Sequence, residues 1–180
     1  MYEVEVKVPA DLEAVRARLD DRGATSRGAV VQKDTYYDAP HRSFADTDEA
    51  LRIRSERPKT GDDKTRITYK GPLIDDESKT REEIETDVGD GEKLDAILRN
   101  LGFEPAATVR KERDRYALEG YAITLDSVDD VGEYVEVETE VESENELESA
   151  REGAYAILEG VGLDPDDQVR TSYLGLLLGP

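Results

Sequence analysis

The chain contains no cysteine and a single histidine. Disulfides and thiolate chemistry are excluded, and so are zinc centres built on Cys or on several His. The absence of Cys also fits an intracellular setting. Long apolar runs are missing: no stretch approaches a membrane span or the apolar part of a signal peptide, so a soluble cytoplasmic protein is expected. Basic residues are scarce, with 24 Lys and Arg against 44 Asp and Glu and a formal charge of -20. A free nucleic-acid or anionic-membrane binder carries a basic surface, and this balance argues against one. Any basic residues gathered in one place therefore gain weight. Phosphate loop, His-Glu-x-x-His and dinucleotide fingerprint are absent too.

What is present begins with charge. Its excess, the 37% hydrophobic content and the preference for Arg over Lys point to a halophilic protein, whose salty cytoplasm shortens the reach of self-repulsion. Low hydrophobicity with high charge is also the mark of disorder, but strand and helix periods run through most of the chain and argue against it. With 180 residues there is enough chain for one sizeable core and no call for a second domain.

Residues 2–8 alternate Val4 and Val6 with Glu3, Glu5 and Lys7, a strand ended by Pro9. Leu12, Val15 and Leu19 then recur at helical spacing between Asp11, a plausible cap, and Gly23. This strand-then-helix unit recurs in pattern when 83–88 precede Leu94, Ile97, Leu98 and Leu101, and again when 134–138 precede Leu147, Ala150, Ala154, Ile157, Leu158 and Val161. Further strands are expected near 28–38, 50–57, 65–70, 108–118 and 121–126. That makes roughly eight strands and three or four helices. Breaks are expected at 58–64, 72–78 and 88–91. Residues 169–178 are apolar enough for a short terminal helix with no evident role.

An antiparallel sheet ordinarily buries its apolar face and leaves the charged one in water. Here three apolar helix stripes need a surface to cover, and the Val, Ile and Leu face of the strands supplies it. The charged face is then enclosed, and about eight strands suffice to close a barrel around it. Within such a lumen Arg52 with Arg54, or Glu136 with Glu138, stand about 7 Å apart and repel by roughly 2 kcal/mol at an effective dielectric near 20. Divalent metal offsets the carboxylates and phosphate oxygens offset the basic groups.

The opening Glu3-x-Glu5-x-Lys7 resembles the hallmark of the CYTH superfamily, the triphosphate tunnel metalloenzymes. The likeness continues through 32–40, 49–54, Thr68-Tyr-Lys70-Gly-Pro72, Ser78-Lys-Thr-Arg81-Glu-Glu83-Ile-Glu85, Leu101-Gly-Phe103, Val109-Arg-Lys111-Glu-Arg113, Leu125-Asp126 and Gly132-Glu-Tyr-Val-Glu136-Val-Glu138. In length, and in the Lys-Gly-Pro and Ser-Lys-Thr-Arg segments, the chain is most similar to class IV adenylyl cyclases. Tyr36-Tyr37-Asp38 departs from them, since cyclase-like relatives often carry Phe there.

This resemblance implies a single CYTH-like domain over 1–180, an α+β fold in which an eight-stranded antiparallel barrel with a polar charged lumen carries its helices outside. It implies Mg²⁺ or Mn²⁺ on Glu3, Glu5, Asp126, Glu136 and Glu138, and a phosphate chain gripped by Lys7, Arg52, Arg54, Lys70, Arg81, Lys111 and Arg113. Glu3, Glu5 and Lys7 are the expected catalytic residues, while Glu83 and Glu85 orient basic neighbours. His41 is expected on the surface, and Tyr36, Tyr37, Tyr69 and Tyr134 carry no assigned role. The expected ligand is a nucleoside or inorganic triphosphate, and a homodimer is an open option. Cyclisation of ATP to cyclic AMP and pyrophosphate leads. Hydrolysis of inorganic or thiamine triphosphate, or non-catalytic polyphosphate binding, are the alternatives.

Overall fold

The computed structural model describes residues 1–179. Its strands are β1 (Tyr2–Pro9), β2 (Thr25–Asp38), β3 (Ala50–Pro58), β4 (Lys64–Leu73), β5 (Lys79–Asp87), β6 (Glu104–Leu118), β7 (Tyr121–Val128) and β8 (Gly132–Val141). The helices are α1 (Leu12–Asp21), α2 (Phe44–Thr47), α3 (Gly91–Asn100), α4 (Leu147–Gly160) and α5 (Tyr173–Leu178). All strand pairs are antiparallel, and the sheet closes in the order β1-β5-β4-β3-β2-β6-β7-β8, with β1 joined to both β5 and β8. The expected eight-stranded barrel with helices outside is therefore the observed fold.

Alternation along β1 decides which side of the wall is dry. Val4, Val6 and Val8 point outward and are 0–1% exposed, because α1 and α4 lie over them. Burying each such side chain is worth roughly 1.5–3 kcal/mol. Leu12, Val15 and Leu19 of α1 and Ala154, Ile157 and Leu158 of α4 complete that core against Ile123, Leu125, Val135 and Val137 of β7 and β8. Across the barrel, Leu94 and Leu98 of α3 cover Tyr37, Leu51 and Ile53 of β2 and β3. With both apolar faces spent on helices, Glu3, Glu5 and Lys7 face inward.

Caps set the helix starts as the sequence suggests. The Asp11 carboxylate accepts from the backbone N–H groups of Glu13 and Ala14, and Asp90 accepts from that of Lys93. Ser143 and Glu146 form a capping box on the single 3₁₀ turn that leads into α4. After α1 the chain reverses at Gly23, whose φ of 74° suits glycine. The three strand–helix units are real: β1–α1, β5–α3 and β8–α4.

Several boundaries differ from expectation, among them that of β5, which begins at Lys79 rather than near 83. β2 and β6 begin earlier, at Thr25 and Glu104, and absorb register shifts at Ser26/Gly28 and Tyr36/Tyr37 that blur their alternation. β4 runs through Pro72 to Leu73 where a break was expected. Pro72 is tolerated because the β4–β5 ladder slips between Lys70 and Leu73 and asks no donor of it. α2 is a single turn between β2 and β3, too short to leave a period in sequence. No helix among the described residues is long and apolar enough to cross a membrane.

Candidate active site in the tunnel

The lumen is a cavity of about 1190 Å³, lined by acidic and basic residues in equal number. The excess negative charge of the chain therefore lies outside it. Cross-strand register fixes who meets whom: Glu5 stands between Glu138 of β8 and Lys79 of β5, Lys7 stands opposite Glu136, and Glu3 lies opposite Arg81 and Glu140. Further round, Arg54 faces Asp34, Lys70 faces Glu83, and Arg113 faces Asp126.

Three carboxylates converge. Glu3, Glu5 and Glu138 each place one oxygen within 4.8 Å of the others. Confining like charges in a dry wall is costly, and the wall answers in two ways. Burial raises the Glu138 carboxyl well above its ordinary value, and Glu3 and Glu5 push it further up. Burial works against Glu3 and Glu5 as well, but Lys70 beside Glu3 and Lys79 beside Glu5 hold both below the ordinary carboxylate range. The contacts are direct, Lys70 Nζ to Glu3 at 3.4 Å and Lys79 Nζ to Glu5 at 3.1 Å. Such a trio of hard oxygen donors suits a divalent cation of the Mg²⁺ or Mn²⁺ kind.

The other two carboxylates expected on metal are engaged by a guanidinium. Arg113 donates to both Asp126 oxygens at 2.6 Å and to Glu136 at 3.3 Å. Asp126 and Glu136 are thus partners of a guanidinium, while Glu138 joins Glu3 and Glu5.

Of the basic set expected on phosphate, Arg52, Arg54, Lys70, Arg81, Lys111 and Arg113 line one lumen along with Lys79, while Lys7 is buried in the wall behind it. Arg54 makes a two-pronged pair with Asp34 at 2.7 and 2.8 Å, and the same carboxylate has Lys111 at 3.6 Å and Arg52 at 3.8 Å. Burial opposes the charge on Asp34, yet Arg54, Lys111 and Arg52 hold its carboxyl well below the ordinary value. Arg81 is partly spent on the rim, donating to the carbonyls of Gly71 and Asp48. Glu83 pairs with Lys70 at 3.2 Å, and Glu85 accepts from Thr68 and lies 4.0 Å from Arg52, which fits an orienting role.

Lys7 and Lys111 differ from their neighbours. Burial, with Lys79 nearby, brings the Lys7 amine down to about 8, and burial with Arg113 and Arg54 brings Lys111 down to about 7. Lys7 Nζ is fully buried and has no hydrogen-bond partner.

Sequence reasoning gave no role to Lys79, Asp34 or Tyr173. Lys79 and Asp34 share the alternation of Arg81 and of Tyr36, so extending each strand's parity by two residues would have found them. Tyr173 carried no such signal. His41 is exposed, Tyr36 lines the lumen, Tyr69 donates to Glu49, and Tyr134 packs on Tyr173.

A CYTH domain profile matches residues 1–173. The chain belongs to the CYTH family. It is 38% identical, over 98% of both chains, to a Methanocaldococcus jannaschii protein named a candidate adenylate cyclase. Among solved structures, the PH1819 protein of Pyrococcus horikoshii superposes with a TM-score of 0.91 at 39% identity over 98% of each chain. A Hippeastrum protein, described as a candidate adenylyl cyclase with a dominant triphosphatase activity, shares the fold at a TM-score of 0.67 and 18% identity, over 98% of this chain and 94% of its own.

Proposed function

We propose that the protein is a divalent-metal-dependent adenylate cyclase of the class IV type, converting ATP to cyclic AMP and pyrophosphate. The observation that carries this reading is the Glu3, Glu5 and Glu138 trio, set in the same tunnel as a phosphate-sized array of basic groups. A pure anion binder gains nothing from clustered acids, whereas phosphoryl transfer needs placement and charge neutralisation more than a protein nucleophile. Similarity to the Methanocaldococcus protein named a candidate adenylate cyclase supports it.

In this reading Glu3, Glu5 and Glu138 would hold Mg²⁺ or Mn²⁺, and the ion would supply Lewis-acid charge to the phosphate oxygens. Arg52 offers a forked donor, Arg54 is held in place by its two-pronged pair with Asp34 and adds its charge, and Lys7, Lys70, Lys79 and Lys111 act as point charges along the chain of phosphates. Arg113, braced by Asp126 and Glu136, presents a fixed charge to the departing pyrophosphate. In the cyclase the ribose 3′-hydroxyl would attack the α-phosphorus, giving up its proton to solvent as pyrophosphate leaves.

A second reading is a triphosphate phosphohydrolase. The same residues serve it, and the dominant triphosphatase activity described for the Hippeastrum neighbour favours it. The test is to incubate the protein in high potassium salt with Mg²⁺ or Mn²⁺, separately with ATP and with inorganic triphosphate, and to separate the products by chromatography. Cyclic AMP with pyrophosphate is the expected result. Orthophosphate without cyclic AMP would replace the cyclase by the hydrolase. Tight binding with neither product would leave a polyphosphate-binding module.

A further inference from the structure

The segment after α4 is strapped to the tunnel by its own backbone and polar side chains. Val169 donates its N–H to the Lys7 carbonyl at 2.7 Å, on the stretch of β1 that β5 no longer pairs. Gln168 donates to the Glu77 carbonyl at 2.8 Å, and Arg170 donates to the carbonyls of Asp75 and Ser78 in the loop that leads to Lys79. The strap then brings Ser172, Tyr173, Leu174, Gly175 and Leu178 onto the lumen, and Tyr173 is the one that meets buried charge. Tyr173 is 5% exposed and packs on Val109, Val128 and Tyr134, inward positions next along β6, β7 and β8 from Lys111, Asp126 and Glu136.

Two features of Tyr173 bear on chemistry. Its hydroxyl donates to Asp126 at 2.7 Å, on the carboxylate that also grips Arg113. Its ring centroid lies 4.2 Å from Lys7 Nζ and 5.0 Å from Lys111 Nζ, so a single aromatic ring serves two buried ammonium groups. A ring attracts a cation through its quadrupole without accepting a directed hydrogen bond. Lys70 and Lys79 are held by carboxylates, which take up their donors. Lys7 is held by the ring and keeps its N–H groups unspent.

We propose that Tyr173 is a positioning residue for the phosphate chain. Its ring seats Lys7 and Lys111 side by side, Lys7 with its donors free for phosphate oxygens, and its hydroxyl keeps Asp126 on Arg113. This rests on the triphosphate reading above and goes beyond it, since the terminal segment becomes part of the anion grip. Preorganised donors lose less on binding, so the ring contributes to affinity for the phosphate chain more than to the chemical step.

The experiment is calorimetric titration of the full chain with inorganic triphosphate in metal-free buffer containing a chelator, comparing wild type, Tyr173→Phe and Tyr173→Leu. Both variants lose the hydroxyl, and only the second loses the ring. Tyr173→Phe is expected to keep the dissociation constant within about twofold, and Tyr173→Leu to weaken it about five- to tenfold. With metal and ATP present, the Leu variant raises KM with little change in kcat. Partial misfolding lowers the binding stoichiometry instead and leaves the dissociation constant of the folded fraction intact. Equal constants in all three proteins, or equal losses in Phe and Leu, would overturn the role of the ring. No binding by the wild type would overturn the triphosphate reading and this role with it.

Discussion

Asp34 is the place where the tunnel is most exposed to a single substitution. Its carboxylate is 1% exposed and serves Arg54 through two hydrogen bonds, with Lys111 and Arg52 within 4 Å. Asp34→Asn keeps the shape and removes the charge, leaving three cations in a dry wall without their common anion. Breaking a buried pair in this way costs about 3–5 kcal/mol. In a chain of this size about 1 kcal/mol moves the thermal midpoint by roughly 2–4 °C, so the expected fall is about 6–20 °C. Inorganic triphosphate at a hundred times its dissociation constant stabilises the wild type by about 2.7 kcal/mol. It stabilises the variant more, because phosphate oxygens take over the vacated role, and the gap between the two midpoints closes. Scanning calorimetry with and without triphosphate reads both effects. A midpoint within about 2 °C of wild type, or a gap that triphosphate leaves untouched, refutes the view of Asp34 as the common counter-ion.

Two further outcomes follow from the lumen carboxylates and amines. Burial, with Glu3 and Glu5 beside it, raises the Glu138 carboxyl, so Glu138→Gln removes a charge that its surroundings disfavour. That variant is expected to melt at or above the wild-type temperature near neutral pH while binding Mn²⁺ at least about tenfold more weakly by calorimetry; an unchanged Mn²⁺ affinity removes Glu138 from the metal set. Lys111 loses its proton near 7 in the folded protein against an ordinary value of 10.5, so between those values the unfolded chain holds the extra proton and this group's contribution to stability rises with pH. Triphosphate beside Lys111 draws that proton back, so metal-free affinity is expected to fall as pH rises from 7 to 9, by up to about tenfold per unit. Lys111→Arg stays charged throughout and should show a flatter profile; parallel profiles would assign the proton elsewhere.

How much of this was legible beforehand follows from what a strand reports about itself. β1 alternates so cleanly that Glu3, Glu5 and Lys7 could be placed on one face, and the helix stripes of α1 and α4 required the Val face to be the covered one. Alternation cannot say which strand lies beside which. The trio Glu3, Glu5 and Glu138 depends on β1 bridging β8, with Glu5 opposite Glu138, and the rival grouping of Asp126 and Glu136 depends on Arg113 lying across the β6–β7 ladder. Lys79 was hidden because the strand is expected to begin at 83, so its parity is not carried back to the true start of β5. Tyr173 was hidden for a different reason: a short helix far away in sequence reveals its place only through the contacts of the strap.

The pairing inside the tunnel has a consequence for the order of binding. Lys70 and Lys79 cannot serve phosphate and remain on Glu3 and Glu5, because each ammonium lies within 3.4 Å of its carboxylate. A phosphate chain that draws them away strips the trio of its counter-charge, and a divalent ion on the trio restores it. Metal bound first, in turn, displaces the ammonium groups toward the phosphates. Each ligand thus lowers the cost of the other, and linkage makes the coupling equal in both directions, typically about 1–3 kcal/mol or five- to 150-fold in affinity. Titrating a non-reacting triphosphate analogue with and without Mn²⁺, and Mn²⁺ with and without the analogue, measures both arms on one protein. Lys79→Met should reduce the coupling, since one of the two shared ammonium groups is then gone. If the two ligands bind with independent affinities, the carboxylate trio and the basic array are separate sites, and the tunnel is not working as a single charge-balanced unit.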